Sequence, residues 1–237
     1  MLTIHKMSAG YQSGKMIIND LSFSIKKGEL IGIIGPNGAG KSTTIKAIMG
    51  LMPVVQGETS WADGCNRYAY IPETPIFYEN LTLWEHLRFA AAVSEIGEES
   101  FEKEAERLLG LFNMTEKKHD YIEQFSKGMQ QKSVIMCAFI QNPDLYIIDE
   151  PFIGLDPHAT KKLMDLINEK RTAGAAVLMS THVLDTAEKW CDRFIMINAG
   201  RAIAQGTLAD IRRLYGYPEA GLFECFNGLT EEYSDES

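Results

Sequence analysis

The chain has 237 residues, of which 45% are hydrophobic and 23% charged, with a formal net charge of −9. That is an ordinary globular mixture, long enough to bury a sizeable core, and it excludes collagen-like, coiled-coil and intrinsically disordered classes. The acidic balance argues against a nonspecific nucleic-acid binder, which needs Lys and Arg to neutralise phosphates, so no nucleic-acid partner is expected.

Met1 to Lys6 lack the basic-then-apolar pattern of a signal peptide. Alternating apolar residues predict strands over 2–7 and 21–25, and a continuous apolar run predicts a buried strand over 30–34. A glycine-rich turn follows at 35–40, then a helix over 41–49 closed by Gly50 and Pro53. Residues 67–71 read as a strand ending at Pro72, and 83–93, 101–112 and 127–140 as helices with apolar residues every three or four positions. The second half alternates: strand 145–148, helix 159–171, strand 175–179, helix 184–190, strand 194–197, a hairpin turn at 198–201 and strand 202–204. Such alternation predicts a largely parallel sheet covered by helices. The stretch from Pro72 to Pro143 shows helices and no clear strand, as expected of an inserted helical lobe at about 73–142. The acidic, polar end at 231–237 reads as a solvated tail, within a partly disordered segment from 217. The most apolar runs, 30–34 and 134–140, fall far short of the roughly 18 residues that span a bilayer. Cys65, Cys137, Cys191 and Cys225 show no CxxC spacing and read as reduced thiols.

Gly35-Pro36-Asn37-Gly38-Ala39-Gly40-Lys41-Ser42 fits GxxxxGK[ST] and lies where that pattern acts, after a buried strand and before a helix. Its glycines let successive backbone N–H groups turn inward on phosphate oxygens, and the helix start adds its dipole. Lys41 then reaches the terminal phosphates and the Ser42 hydroxyl is placed for Mg²⁺, with Thr43 beside it. Four apolar residues, 145–148, lead into Asp149 and Glu150, a strand whose carboxyl end would turn Asp149 to the metal and leave Glu150 to orient or deprotonate water. A buried strand ending in surface acids would read the same in isolation; beside a phosphate loop the functional reading prevails.

Three further stretches complete an order. Phe125-Ser126-Lys127-Gly128-Met129-Gln130-Gln131 precedes the acids by about twenty residues, Gly154-Leu155-Asp156-Pro157 follows them, and Ser180-Thr181-His182 ends the next strand. This order resembles the ATP-binding subunit of ABC transporters, from about residue 2 to 215. The resemblance implies an α/β fold: a P-loop NTPase core with a mostly parallel sheet, an N-terminal antiparallel β subdomain and an inserted helical lobe, spanning 1–216. It implies an Mg²⁺-dependent ATPase with ATP as substrate, Tyr11 stacking on adenine, and His182 sensing the γ-phosphate. It further implies Ser126, Gly128 and Asp156 acting across a head-to-tail pair of ATP-binding subunits. A separately encoded integral membrane permease would be the partner, with the subunit cytoplasmic and peripheral on the inner face of the cell membrane. The permease is expected on the side of residues 75–87, where Ile76, Phe77, Tyr78, Leu81 and Trp84 make an apolar-aromatic surface, although a local core explains some of them equally well. Each side chain also has a plain structural explanation: Tyr11 as a half-buried tyrosine, Ser126 as an N-cap, and Asp156 as the start of a turn.

Two positions depart from the common pattern of that family. The usual LSGGQ is here Phe125-Ser126-Lys127-Gly128-Met129, which keeps Ser126 and Gly128. Glu73 stands where most members carry glutamine, and is expected to meet the metal. Both variants resemble a bacterial subgroup that includes the Ecs-type proteins.

Overall fold

The computed structural model describes residues 1–62 and 64–235. In chain order its elements are β1 Leu2–Gly10, β2 Ile18–Ile25, β3 Leu30–Ile34, α1 Lys41–Ile48, β4 Val54–Trp61, β5 Tyr68–Ile71, α2 Leu83–Val93, α3 Glu98–Leu111 and α4 Lys127–Ile140. Then follow β6 Leu145–Asp149, α5 Pro157–Thr172, β7 Ala176–Thr181, α6 Leu184–Trp190, β8 Arg193–Asn198, β9 Arg201–Gly206, α7 Leu208–Tyr215 and α8 Leu222–Asp235. They divide between two units, one of Met1–Asn66 with Ala176–Ser237, the other of Arg67–Ala175.

In the first unit β2, β1 and β4 form an antiparallel sheet. Leu2 and Ile4 are buried on one face of β1, and Met7 and Ala9 are buried too although one residue out of phase. The pairing with β2 slips between Ile4 and Met7, where Lys6 takes φ 48, and this bulge returns the apolar side chains to the core. Strand β4 was not foreseen from the sequence. Residues 55–60 are exposed, so it carries no apolar alternation and is held through backbone pairing with β1.

The second sheet of this unit is mostly parallel. Strand β3 lies between β7 and β8, parallel to both, and all five of its residues are buried, which is why it reads as an unbroken apolar run. Strand β9 returns antiparallel to β8 through a two-residue turn, Ala199-Gly200, at φ 44 and φ 77. Positive φ at both central residues is the turn that matches the twist of hairpin strands.

The region beyond 217, expected to be a partly disordered tail, folds as α8. Leu222, Cys225 and Leu229 are buried in one cluster with Ile34, Phe194, Met196 and Ile211. Their spacing puts them on one helical stripe, and it outweighs the polarity of the residues that follow. Of the tail at 231–237, residues 231–235 are helical and the last two lie outside the described residues.

In the second unit β5 and β6 pair in parallel, and α2, α3 and α4 pack against one another, with α4 also on β5. Between Pro72 and Pro143 the named elements are these helices and two 3-10 turns, Thr115–Lys117 and Ile122–Gln124. Thr82 opens α2 with a reciprocal capping box to Glu85. Arg107 on α3 holds Glu104 through two bonds of 2.7 Å and reaches Glu169 on α5 at 3.1 Å, which ties the two helices. Trp84 is half-buried, its ring 5.0 Å from that of Phe101 and capped by the Lys118 ammonium at 5.0 Å. It therefore belongs to a local core, the alternative that the sequence leaves open for some of the apolar residues at 75–87.

Candidate functional site

The turn at 35–40 leaves the carboxyl end of β3 and runs into α1. Gly40 occupies the N-cap at φ 111, a conformation that an L side chain rarely adopts, and no side chain caps the helix. A helix start without a side-chain cap at the end of a glycine-rich turn is the arrangement that binds anions. Pro36, Asn37 and Gly38 are exposed, Ala39, Gly40 and Lys41 buried, and Ser42 half-buried. The Lys41 ammonium donates to the carbonyls of Gly35 at 2.9 Å and Pro36 at 3.3 Å, which fixes it over its own loop. Thr43 is buried, and the Thr44 hydroxyl donates to the Gly40 carbonyl at 2.9 Å.

The hairpin turn after β8 braces this loop. The Gly200 N–H donates to the Ala39 carbonyl at 2.9 Å, and the Gly200 carbonyl accepts from Asn19 at 2.8 Å. A Cβ at Gly200 would lie 2.0 Å from the Ile17 carbonyl oxygen, so only glycine fits. The sequence shows 198–201 as a turn; that the turn supports the phosphate loop is a contact across 161 positions with no local signature.

His182 follows β7, whose register pairs Thr181 with Ile34. The residues after these, His182 and Gly35, therefore leave adjacent parallel strands at the same end, one strand spacing of about 4.8 Å apart. His182 is exposed, while Ser180 and Thr181 before it are buried. Tyr11, at the end of β1, is 55% exposed, so an aromatic face is open to a planar ligand.

In the second unit Ile71 pairs with Ile148. Asp149 ends β6, Glu150 follows it, and Pro72 and Glu73 follow β5 at the same end. Asp149 and Glu150 are buried and Glu73 is exposed. Tyr70 on β5 is hydrogen-bonded to Asp149; burial, with the charges of Asp149 and Glu73, pushes its phenol up to about 12, so it remains a donor to the carboxylate at neutral pH. Tyr70 is a partner that sequence reading missed, because a half-buried tyrosine in a four-residue strand carries no mark of it. Glu150 takes φ 47, a strained value for a residue with a side chain.

Two helix starts flank these acids in sequence and meet in space. Ser126 caps α4, its hydroxyl accepting the Met129 N–H at 3.3 Å, and Asp156 caps α5, accepting that of Ala159 at 2.8 Å. The bond from Ala159, aided by Lys132 at 3.6 Å, holds the Asp156 carboxyl below the usual range. A Cβ at Gly128 would lie 2.6 Å from the Gly154 carbonyl oxygen, so the glycine allows the two segments to touch. Gln131, buried on α4, donates to the Pro151 carbonyl at 3.4 Å, next to Glu150. Ser126, Gly128, Asp156 and the segment after Glu150 thus form one connected group; Gln131 and Lys132 are members the sequence did not single out.

Mg²⁺ takes hard oxygen ligands and keeps several from water or phosphate. Asp149, buried in the second unit and hydrogen-bonded to Tyr70, and the half-buried Ser42 hydroxyl of the first unit are each oxygen donors of that kind. Among the described residues no group of three or more His, Cys, Asp and Glu is placed to hold a metal alone, so Glu73, Asp149 and Glu150 do not form such a cluster. On the side of residues 75–87, Ile76 and Tyr78 are 87% and 61% exposed, joined by Phe89 on α2. Phe77 and Leu81 are half-buried, Phe77 edge-on to His86 at 5.2 Å. Among the described residues no helix is long and apolar enough to cross a membrane.

The ABC transporter family profile matches residues 18–153. The chain is 50% identical over 218 residues to the uncharacterized ABC transporter ATP-binding protein YthP of Bacillus subtilis, covering 92% of each chain. It is 43% identical over 241 residues to the ABC-type transporter ATP-binding protein EcsA of the same organism, covering 98% of this chain and 97% of that one. A solved ATP-binding subunit of an ABC transporter superposes with a TM-score of 0.92 at 46% identity, over 97% of this chain and 99% of its own. The ATP-binding cassette MJ0796, a dimer bound to ADP and Pi, gives a TM-score of 0.78 at 23% identity over 88% and 99%, a likeness of fold. With the profile covering more than half its length and such relatives matched nearly end to end, the chain belongs to the ABC transporter family as an ATP-binding protein.

Proposed function

We propose that the chain binds Mg–ATP and hydrolyses it as one of two head-to-tail subunits that drive a separate membrane permease from its cytoplasmic side. The observation that carries the reading is the phosphate loop: Gly40 at the head of α1, Lys41 fastened to the loop carbonyls, and His182 leaving the neighbouring strand at the same end. The loop N–H groups and Lys41 take up charge on the β- and γ-phosphates, and Tyr11 stacks on the base. Ser42 and Asp149 would hold the metal, with Glu73 as a further oxygen ligand. The ion, when bound, neutralises phosphate charge. Glu150 accepts a proton from the attacking water at its carboxylate, with no covalent protein intermediate, and His182 donates toward the γ-phosphate. Ser126 and Gly128 present the head of α4 to the ATP of the second subunit, and Asp156 lies at that shared interface.

Because α4 is fastened behind Glu150 through Gln131 and to Asp156 through Lys132, an ATP gripped by Ser126 acts on the segment that carries the base. The exposed Ile76, Tyr78 and Phe89 are the apolar surface that the permease would cover. Phosphate release by the purified chain with Mg–ATP tests the reading: Lys41→Ala should abolish it, and Glu150→Gln should keep ATP binding and accumulate a nucleotide-dependent dimer. Turnover that survives Lys41→Ala overturns it.

A further inference from the structure

At the end of the first unit the connection between α7 and α8 borders an open cavity of about 620 Å³ lined by Tyr215, Tyr217, Pro218, Glu219, Ala220 and Glu224. Gly216 ends α7 in a left-handed cap, and the two tyrosines around it lie ring to ring, centroids 4.8 Å apart at 41°. The Tyr215 ring is set directly on the backbone of α8. A Cβ at Gly228 would lie 2.0 Å from it, so a residue that is unfavourable in mid-helix leaves the space the ring fills.

The charges around the cavity are mainly negative. Glu224 accepts the Gly221 N–H at 2.9 Å, and Glu188 of α6 accepts that of Leu222 at 2.7 Å. Glu219 is exposed and, among the described residues, has no hydrogen bond or ion pair. Facing them, Arg212 is turned to the Ala220 carbonyl at 2.7 Å, and Arg213 pairs with Asp210 at 3.6 Å. From 208 to 237 the sequence carries seven Asp and Glu against two Arg. The rim is apolar as well as acidic, with Leu214, Tyr217 and Phe223 all close to 60% exposed.

We propose that this cavity is a docking site for a Lys or Arg side chain carried on a basic segment of the membrane partner. Paired aromatic faces and carboxylates together attract an ammonium or guanidinium, which packs its stem on the rings and directs its N–H groups to the acids. Cytoplasmic segments of membrane proteins are enriched in Lys and Arg, the complement of this acidic terminus. The source of the cation rests on the transporter reading above; its recognition by the cavity does not.

The test uses the full chain without nucleotide and a short fluorescein-labelled peptide alternating arginine and glycine, with a glutamate counterpart as control, followed by anisotropy. Tyr217→Ala and Glu219→Gln should each weaken arginine-peptide binding about five- to tenfold. Glu116→Gln, the same charge change on an exposed turn of the second unit, should leave it within about twofold. Equal losses from Glu116→Gln and Glu219→Gln would mean that net charge alone attracts the peptide, and an unchanged Tyr217→Ala would remove the aromatic contribution; either overturns the site. So does a Tyr217-dependent attachment to phosphatidylcholine vesicles, or a Tyr217-dependent self-association, with no peptide binding. Phosphate release should be the same in all three variants as in the parent. Its absence from the parent would defeat the ATPase reading and leave the peptide result standing.

Discussion

Replacing Glu150 separates two properties that the residue combines. Its backbone sits at φ 47, which costs a residue with a side chain about 1–2 kcal/mol, and the residue is buried at 6% exposure. Glu150→Gly removes the backbone penalty; the greater freedom of glycine in the unfolded chain returns about 0.5–1 kcal/mol of that gain. Measured against Glu150→Ala, which loses the same side-chain interactions but keeps the strain, the glycine variant should be as stable or up to about 1.5 kcal/mol more stable, a Tm difference of roughly 0 to +6 °C for a chain of this size. Glu150→Gln keeps the strain and the shape and removes only the charge. If the carboxylate is the general base, both variants lose turnover by roughly 10²–10⁴ while ATP binding persists. Thermal unfolding without nucleotide and phosphate release at saturating Mg–ATP measure the two properties separately. A Glu150→Gly variant melting more than about 3 °C below Glu150→Ala would refute the stored strain. Near-normal turnover in Glu150→Gln would refute the base.

Gly200→Ala should destabilise the fold by more than about 2 kcal/mol and weaken ATP binding, since φ 77 and a carbonyl at 2.0 Å both reject a Cβ; an unchanged nucleotide Kd would detach the hairpin turn from the phosphate loop. Ser126→Asp keeps an N-cap oxygen and adds a charge that repels phosphate, so monomeric ATP binding should survive and the nucleotide-bridged dimer of the Glu150→Gln background should not form; lost binding in the monomer would place Ser126 in its own subunit's site. Glu73→Gln should bind ATP more tightly than the parent when Mg²⁺ is withheld, because one anion near the phosphates is gone; titrations showing the same metal dependence for both take Glu73 out of the metal site. Burial alone would raise the Glu104 carboxyl, but Arg107 and Lys170 outweigh it and hold it below its ordinary 4.5. The stability it adds is then complete above about pH 4.5 and lost as pH falls through the lower folded value, so the advantage of the parent over Glu104→Gln should shrink on acidification; an advantage that grows would contradict the pairing.

Much of this fold could be read from local pattern. Strand β3 and helices α2, α4 and α6 begin and end where periodicity places them, because each combines a full apolar run or stripe with an identifiable stop. The failures have physical causes. Strand β4, Val54–Trp61, offers almost no side chain to a core and exists because β1 presents an edge to pair with. Helix α8 hides its stripe, Leu222, Cys225 and Leu229, behind a polar terminus, and α7 before it buries little more than Ile211. In the candidate site the motif residues were legible because phosphate chemistry restricts which residue types serve at which spacing. Their supports were not: Gly200, Tyr70 and Gln131 act through contacts that only folding creates.

The register of parallel strands explains why distant motifs can serve one chemistry. A parallel pair aligns both carboxyl ends, so whatever follows each strand emerges on the same side. Ile34 opposite Thr181 makes Gly35 and His182 neighbours across 147 positions of sequence, and Ile71 opposite Ile148 does the same for Pro72–Glu73 and Asp149–Glu150. A slip of one residue in either pair would shift these ends by about 3.3 Å and turn every strand side chain to the opposite face, which the burial of all residues of β3, β6 and β7 resists. Apolar burial therefore does more than stabilise the strands: it sets the register that decides which polar residues stand together. The departures at Glu73 and in the Phe125–Met129 stretch fall at a strand exit and a helix start, outside the buried register, where side-chain chemistry can change without moving the frame that positions it.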